Sequence, residues 1–164
     1  MQIYPWLVFL HLIGVLGLMF SHGSAAFVSF RIRSERNLER ITGLLELVHI
    51  TNVFLYPSFY LLLIAGILAG IVGRWFGHGW IWAALIILIA ITVAMIAIAS
   101  PYYNGLRQAV GLPVGGRGRA QPASAPISAA ELASKLQSRR PDLLAAVGLG
   151  GLLVILWLMV MKPF

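Results

Sequence analysis

The chain has 164 residues, of which 60% are hydrophobic and only 10% charged, with a formal net charge of +7. Soluble domains are about a quarter charged, so this composition, with apolar runs long enough to cross a bilayer, places the chain among polytopic membrane proteins. The absence of cysteine excludes disulfides, thiolate metal sites and cysteine nucleophiles.

Residues 3–30 form the first apolar run, long enough at ~1.5 Å per residue to span with some tilt. Ser24, Ala25 and Ala26 offer the small residues of a signal-peptide cleavage site. No positive segment precedes the run, however, and it is too long for such a peptide's core, so it reads as a mature helix. A basic turn carrying Arg31, Arg33, Arg36 and Arg40 follows. The second helix is predicted over 38–72, kinked at Pro57, with Gly66, Gly70 and Gly73 forming a face that permits close backbone approach. A glycine-broken, tryptophan-rich turn occupies 74–82. The third helix, about 81–104, is almost purely aliphatic, and its end is marked by Pro101, Tyr102, Tyr103 and Asn104.

Residues 105–141 read as a cytoplasmic linker. Its 111–128 portion is rich in glycine and proline and lacks the G-x-x-x-x-G-K-[ST] pattern of a phosphate-binding loop. Ser128 and Glu131 have the spacing of a capping box, which predicts a short helix near 129–138. The fourth span is expected over 142–161, with Gly148, Gly150 and Gly151 available for close packing.

Ten basic residues fall on the side of the first turn and the 105–141 segment, against only Arg74 and Lys162 on the other. The positive-inside rule then puts both termini outside, and it explains the net charge without nucleic acid. Trp6, Trp75, Trp80, Trp82 and Trp157 fall near the outer boundary on this reading, as an aromatic belt requires. The expected architecture is an all-α bundle of four transmembrane helices forming a single domain.

Polar groups inside the membrane are costly and therefore mark candidate sites. Counted from the middle of the basic turn, His22 and His49 are equally distant, so a hairpin of two helices places them at similar depth. His11 lies three turns before His22, at ~16 Å difference in depth on the same face. Tyr60 bears the same relation to His49, which gives a second tier of His11 with Tyr60. Neutral imidazoles at His22 and His49 suit a b-type haem or a metal ion such as copper, with Glu46 placed to orient His49 or to join it as a ligand. Two imidazoles plus an iron hold helix axes roughly 14 Å apart, whereas neighbouring helices pack at about 8–10 Å, so a haem requires a splayed or diagonal arrangement. The same residues also suit a hydrogen-bonded polar ladder, at ~1 kcal/mol per bond, or a path for protons or small solutes. His78 reads as a solvent-facing loop residue, and Glu46 also reads as an interfacial acid near Arg40. Glu46 and His49 give one E-x-x-H copy, whereas a di-iron carboxylate site needs two copies and further glutamates. No nucleophile–base arrangement is present, which argues against a hydrolytic enzyme and leaves no catalytic residue to name.

The HL-x-G-x-x-G start, the SHGSAAFVSFRIRSERN segment, the WFGHGWIWAAL turn, the ASPYYNGLR helix end and the terminal LMVMKP resemble a bacterial family of predicted four-helix integral membrane proteins of unknown function. That family is itself similar to the membrane domain of the copper-resistance D proteins. The resemblance implies four spanning helices in a bacterial inner membrane, with His11 and the His22-Gly23 pair at motif positions. Two roles follow from the sequence. One is a small redox or metal-binding membrane protein with His22 and His49 as ligands. The other is an accessory or assembly subunit that binds other membrane proteins, or a second copy of itself, through the glycine faces at Gly66, Gly70 and Gly148.

Overall fold

The computed structural model describes residues 2–114 and 125–164. Part of the expected linker, including Arg117 and Arg119, therefore lies outside the described residues. Helix α1 (Tyr4–Ile32) opens with Pro5 in its first turn, where the missing N–H would have had no intrahelical partner. A short turn leads to α2 (Leu38–Val72), capped by the Asn37 side chain, which accepts the Arg40 N–H at 3.2 Å. Pro57 lies inside α2 without ending it. A 3-10 turn at Trp75–Gly77 then reverses the chain into α3 (Gly79–Ala109).

Helix α3 runs five residues beyond the end expected from its Pro101-Tyr102-Tyr103 sequence. Proline removes a single backbone bond, and the turns after it are held by burial. Leu106 and Ala109 pack with Ile32, Ile41, Leu45, Leu136 and Leu144 in one apolar cluster. Helix α4 (Ala129–Leu136) begins with the full capping box of Ser128 and Glu131. The fourth span is composite: α5 (Arg140–Ala145), a π-helical turn (Ala146–Gly150) and α6 (Gly151–Met161) follow without a break.

The chain is a small integral membrane protein, an all-α bundle with four segments long and apolar enough to cross a membrane and no strand among the described residues. Its outward faces carry large apolar side chains at helical spacing, such as Ile86, Ile89, Val93 and Ile96 on α3, each at least 61% exposed. In water that surface would aggregate; in lipid it is solvated.

Two antiparallel hairpins make up the bundle. In the first, Gly14 lies against the Leu62 backbone and Gly17 against the Ser58 side chain. In the second, Gly151 of α6 takes the Ile91 side chain of α3. The termini share one end of the bundle. Tyr4 accepts a bond from the Trp75 indole at 3.0 Å, and the Trp80 N–H donates to the Phe164 carbonyl at 3.2 Å. Lys162 lies over the Trp75 ring at 4.1 Å. The tryptophans divide at this end: Trp80 is buried, whereas Trp6, Trp82 and Trp157 are each about half exposed.

The hairpins are fastened to each other at the opposite, basic end. Arg33 donates two bonds to the Asp142 carboxylate, at 3.0 and 2.7 Å, and one to the Ser138 carbonyl at 2.8 Å. The Ser29 and Tyr103 hydroxyls meet each other there and also the Ala25 carbonyl, joining α1 to α3.

Candidate functional site

Away from the basic end the hairpins stand apart, leaving a cavity of about 340 Å³ between α1, α2, α3 and α6. Leu18, Leu62, Leu88, Leu152 and Ile155 line its walls, and Trp75, Phe76 and Trp80 stand toward the terminal end. The lining is overwhelmingly apolar, with His11 its one histidine. Pockets of this kind, apolar with a few placed polar groups, are the usual form of a small-molecule site.

His11 is fixed by two features of α2. Gly66 has no side chain, and a Cβ there would stand 2.7 Å from His11 Nδ1, so the imidazole fits because the residue is glycine. The ring then reaches the Leu62 carbonyl, 2.8 Å from Nδ1. A carbonyl can only accept, so Nδ1 carries the proton and Nε2 is left with a lone pair, an acceptor or ligand position.

His22 turns toward the fourth span instead of toward α2. Its Nε2 edge lies directly on Gly148, within the π-helical turn, and that atom is buried with no hydrogen-bond partner among the described residues. π-helical turns recur at functional sites because the widened backbone opens space beside the helix. Here the space holds an imidazole.

His49 faces outward from the bundle and has no polar partner among the described residues. The close contacts of Gly14 with Leu62 and Gly17 with Ser58 set the register of the first hairpin. On that register the residue level with His22 is near position 54, which leaves His49 displaced by about 7 Å in depth at 1.5 Å per residue. Equal counting from the turn assumed that the helices face each other without sliding; the two glycine contacts fix a different offset. The structure therefore does not bring His22 and His49 together.

The second tier fares similarly. Tyr60 is 50% exposed and packs edge-on to Phe59, while His11 uses the Leu62 carbonyl. Glu46 pairs with Arg107 of α3 at 3.1 Å, in place of Arg40 or His49. No group of three or more histidine, aspartate or glutamate side chains able to hold a metal ion occurs among the described residues. The three glycines expected to present outward docking faces are occupied within the fold. Gly66 takes His11, Gly70 takes Phe76 and Ile81, and Gly148 takes His22.

At the first basic turn Glu35 accepts the backbone N–H groups of Arg36 and Asn37, at 2.9 and 3.1 Å. These bonds, with Arg40 and Arg31 nearby, hold its carboxyl below the usual carboxylate range. A depressed folded pKa stabilises the fold fully above the ordinary value of 4.5, and this contribution is lost as pH falls through the folded value. Thermal unfolding in detergent at about pH 6 and about pH 3.5 should therefore show a loss of stability on acidification that is smaller in Glu35→Gln than in the wild type. Equal losses in the two proteins would mean that this turn is not acid-sensitive.

Sequence reasoning did not find the cavity, the Glu46–Arg107 pair or the Ser29–Tyr103 contact. The last had a signal, since Ser29 and Tyr103 are lone polar groups near the same end of two apolar helices. No family model, curated protein or solved structure matches the chain.

Proposed function

We propose that this integral membrane protein binds a lipophilic molecule carrying one hydrogen-bond donor, such as a phenol or alcohol on an apolar body. The single observation behind this reading is His11. Its Nδ1 proton is committed to the Leu62 carbonyl, so Nε2 is presented as an acceptor at the wall of an otherwise apolar cavity. The apolar lining supplies affinity without direction, and the one acceptor supplies selection for a donor. A bilayer-dissolved ligand suits the surroundings, because the cavity lies between helices whose outer faces are built for lipid.

Trp75 and Trp80 line the cavity, so their fluorescence reports occupancy. In a detergent titration the wild type should bind a lipophilic phenol about fivefold more tightly than its methyl ether, the value of a hydrogen bond near 1 kcal/mol. His11→Phe keeps an aromatic ring and removes the acceptor, and it should bind the two compounds equally. Equal affinities in the wild type would sink the proposal.

The b-type haem or metal role, which the resemblance to the copper-resistance D domain also suggests, keeps one supporting observation. The buried Nε2 of His22 has no partner among the described residues. Against it stand the outward position of His49 and the contact of that same nitrogen edge with Gly148. A Soret band in the purified protein, lost in His22→Ala and in His49→Ala, would carry the haem reading in place of the first. Metal analysis of the same sample decides for an ion.

A further inference from the structure

A second cleft, of about 280 Å³, lies at the basic end, where α3 meets α4 and the start of α5. Its polar lining consists of Tyr102, Ser134, Lys135, Ser138 and Arg140, all able to donate a hydrogen bond and none acidic. The nearby acids are engaged elsewhere: Asp142 with Arg33, Glu46 with Arg107, Glu35 with Arg31 and Arg40, and Glu131 with Ser128. Lys135 and Arg140 form no ion pair among the described residues. Ser138 accepts the Arg140 backbone N–H at 3.2 Å, which leaves its own hydroxyl proton to donate.

Tyr102 supplies the independent observation. It is 5% exposed and lines the cleft, yet its hydroxyl has no hydrogen-bond partner among the described residues. A buried unpaired hydroxyl is costly, so its retention calls for a partner that the protein itself does not provide. A partner that satisfies five donors of this kind is an oxyanion with several acceptor oxygens.

We propose that this cleft binds a phosphate group, either the headgroup of an anionic phospholipid or a soluble phosphomonoester, through Lys135 and Arg140, with Ser134, Ser138 and Tyr102 donating to its oxygens. The positive-inside rule assigns this end to the cytoplasmic face, where anionic headgroups and soluble phosphates are both at hand. The apolar floor of Pro101 and Leu106 fits the glycerol or acyl portion of a lipid. Asp142 does not oppose the anion, because two bonds from Arg33 offset its charge.

Native mass spectrometry of the intact protein, released from micelles doped with phosphatidic acid or phosphatidylcholine, tests the site. The wild type should retain phosphatidic acid selectively. Lys135→Gln and Arg140→Gln should each weaken retention about tenfold, and Tyr102→Phe severalfold, as expected for hydrogen bonds to a charged group. Tyr102→Phe changes no volume in the core, so a folding defect does not confuse its result. Arg36→Gln, an exposed cation of the first turn, should change retention less than about twofold if the effect is not general surface charge. Competition by millimolar glycerol phosphate or inorganic phosphate identifies a site open to soluble phosphates; retention undiminished by either identifies the lipid headgroup. No preference over phosphatidylcholine, an unaltered Tyr102→Phe, or an equal loss in Arg36→Gln would overturn the proposal.

Discussion

Gly14→Ala should destabilise the protein by about 2 kcal/mol, even though alanine is the better helix former by about 1 kcal/mol. The added methyl group would stand 2.7 Å from the Leu62 Cα and closer still to its backbone nitrogen. Neither is the end of a flexible side chain, so the whole of α2 must move away from α1. That movement opens the closest approach in the first hairpin, and association in lipid depends on close packing because no hydrophobic effect drives helices together there. Gly43→Ala and Gly105→Ala provide the contrast, since a Cβ at either position meets nothing within 4 Å. Both should be neutral or slightly stabilising through helix propensity alone. Unfolding in mixed micelles with increasing dodecyl sulfate, followed by circular dichroism, ranks the three. A Gly14→Ala protein as stable as the other two would mean that the hairpin has slack at this point.

Gly148→Ala should also destabilise, by about 1–3 kcal/mol, as overpacking does where a neighbour must shift. Here the neighbour is the His22 imidazole, and the effect should therefore be reversible. In a His22→Ala background the space is empty and the alanine at 148 is accommodated, so the double variant should recover part of the loss. A coupling of about 1 kcal/mol or more is the range for residues in direct contact. Additive losses would show that the π-helical turn resists alanine for reasons of backbone geometry alone. The same pair of variants bears on His22 as a ligand, because a bound metal or haem would make His22→Ala far more disruptive than the loss of a packing contact.

The apolar runs located all four spans, because a segment with few charges over 20 or more residues has one favourable solvent. Ser128 and Glu131 announced α4 through a contact only three residues long. Features that depend on how helices slide and turn were beyond this reading. The depth of His22 against α2 is set by Gly14 and Gly17, and counting from the turn cannot sense those contacts. Glu46 lies near Arg40 and His49 along the chain, yet its partner is Arg107, brought close only when the second hairpin docks. The glycines showed where backbones approach closely but not from which side. Gly66 and Gly148 read equally well as outward faces, and each holds a histidine from α1. His11 and His22 were therefore correctly singled out as unusual, and their partners were not legible.

The π-helical turn at Ala146–Gly150 has a consequence for how the chain can vary in length. A π turn accommodates a surplus residue, so α5 and α6 share an axis but not an angular phase. That phase difference lets Leu144 face the cluster around Ile32 and Leu106 while Leu158 faces Trp80 and Ile81. Removing one residue from the turn would restore a plain α-helix and rotate everything after it by about 100°. Leu158 would swing away from Trp80, and Met159 and Val160 would leave the cavity wall they now help form. Many apolar exchanges on the lipid-facing side of this span preserve the fold, but a single deletion does not. The fourth helix is constrained by its number of residues more strictly than by their identity.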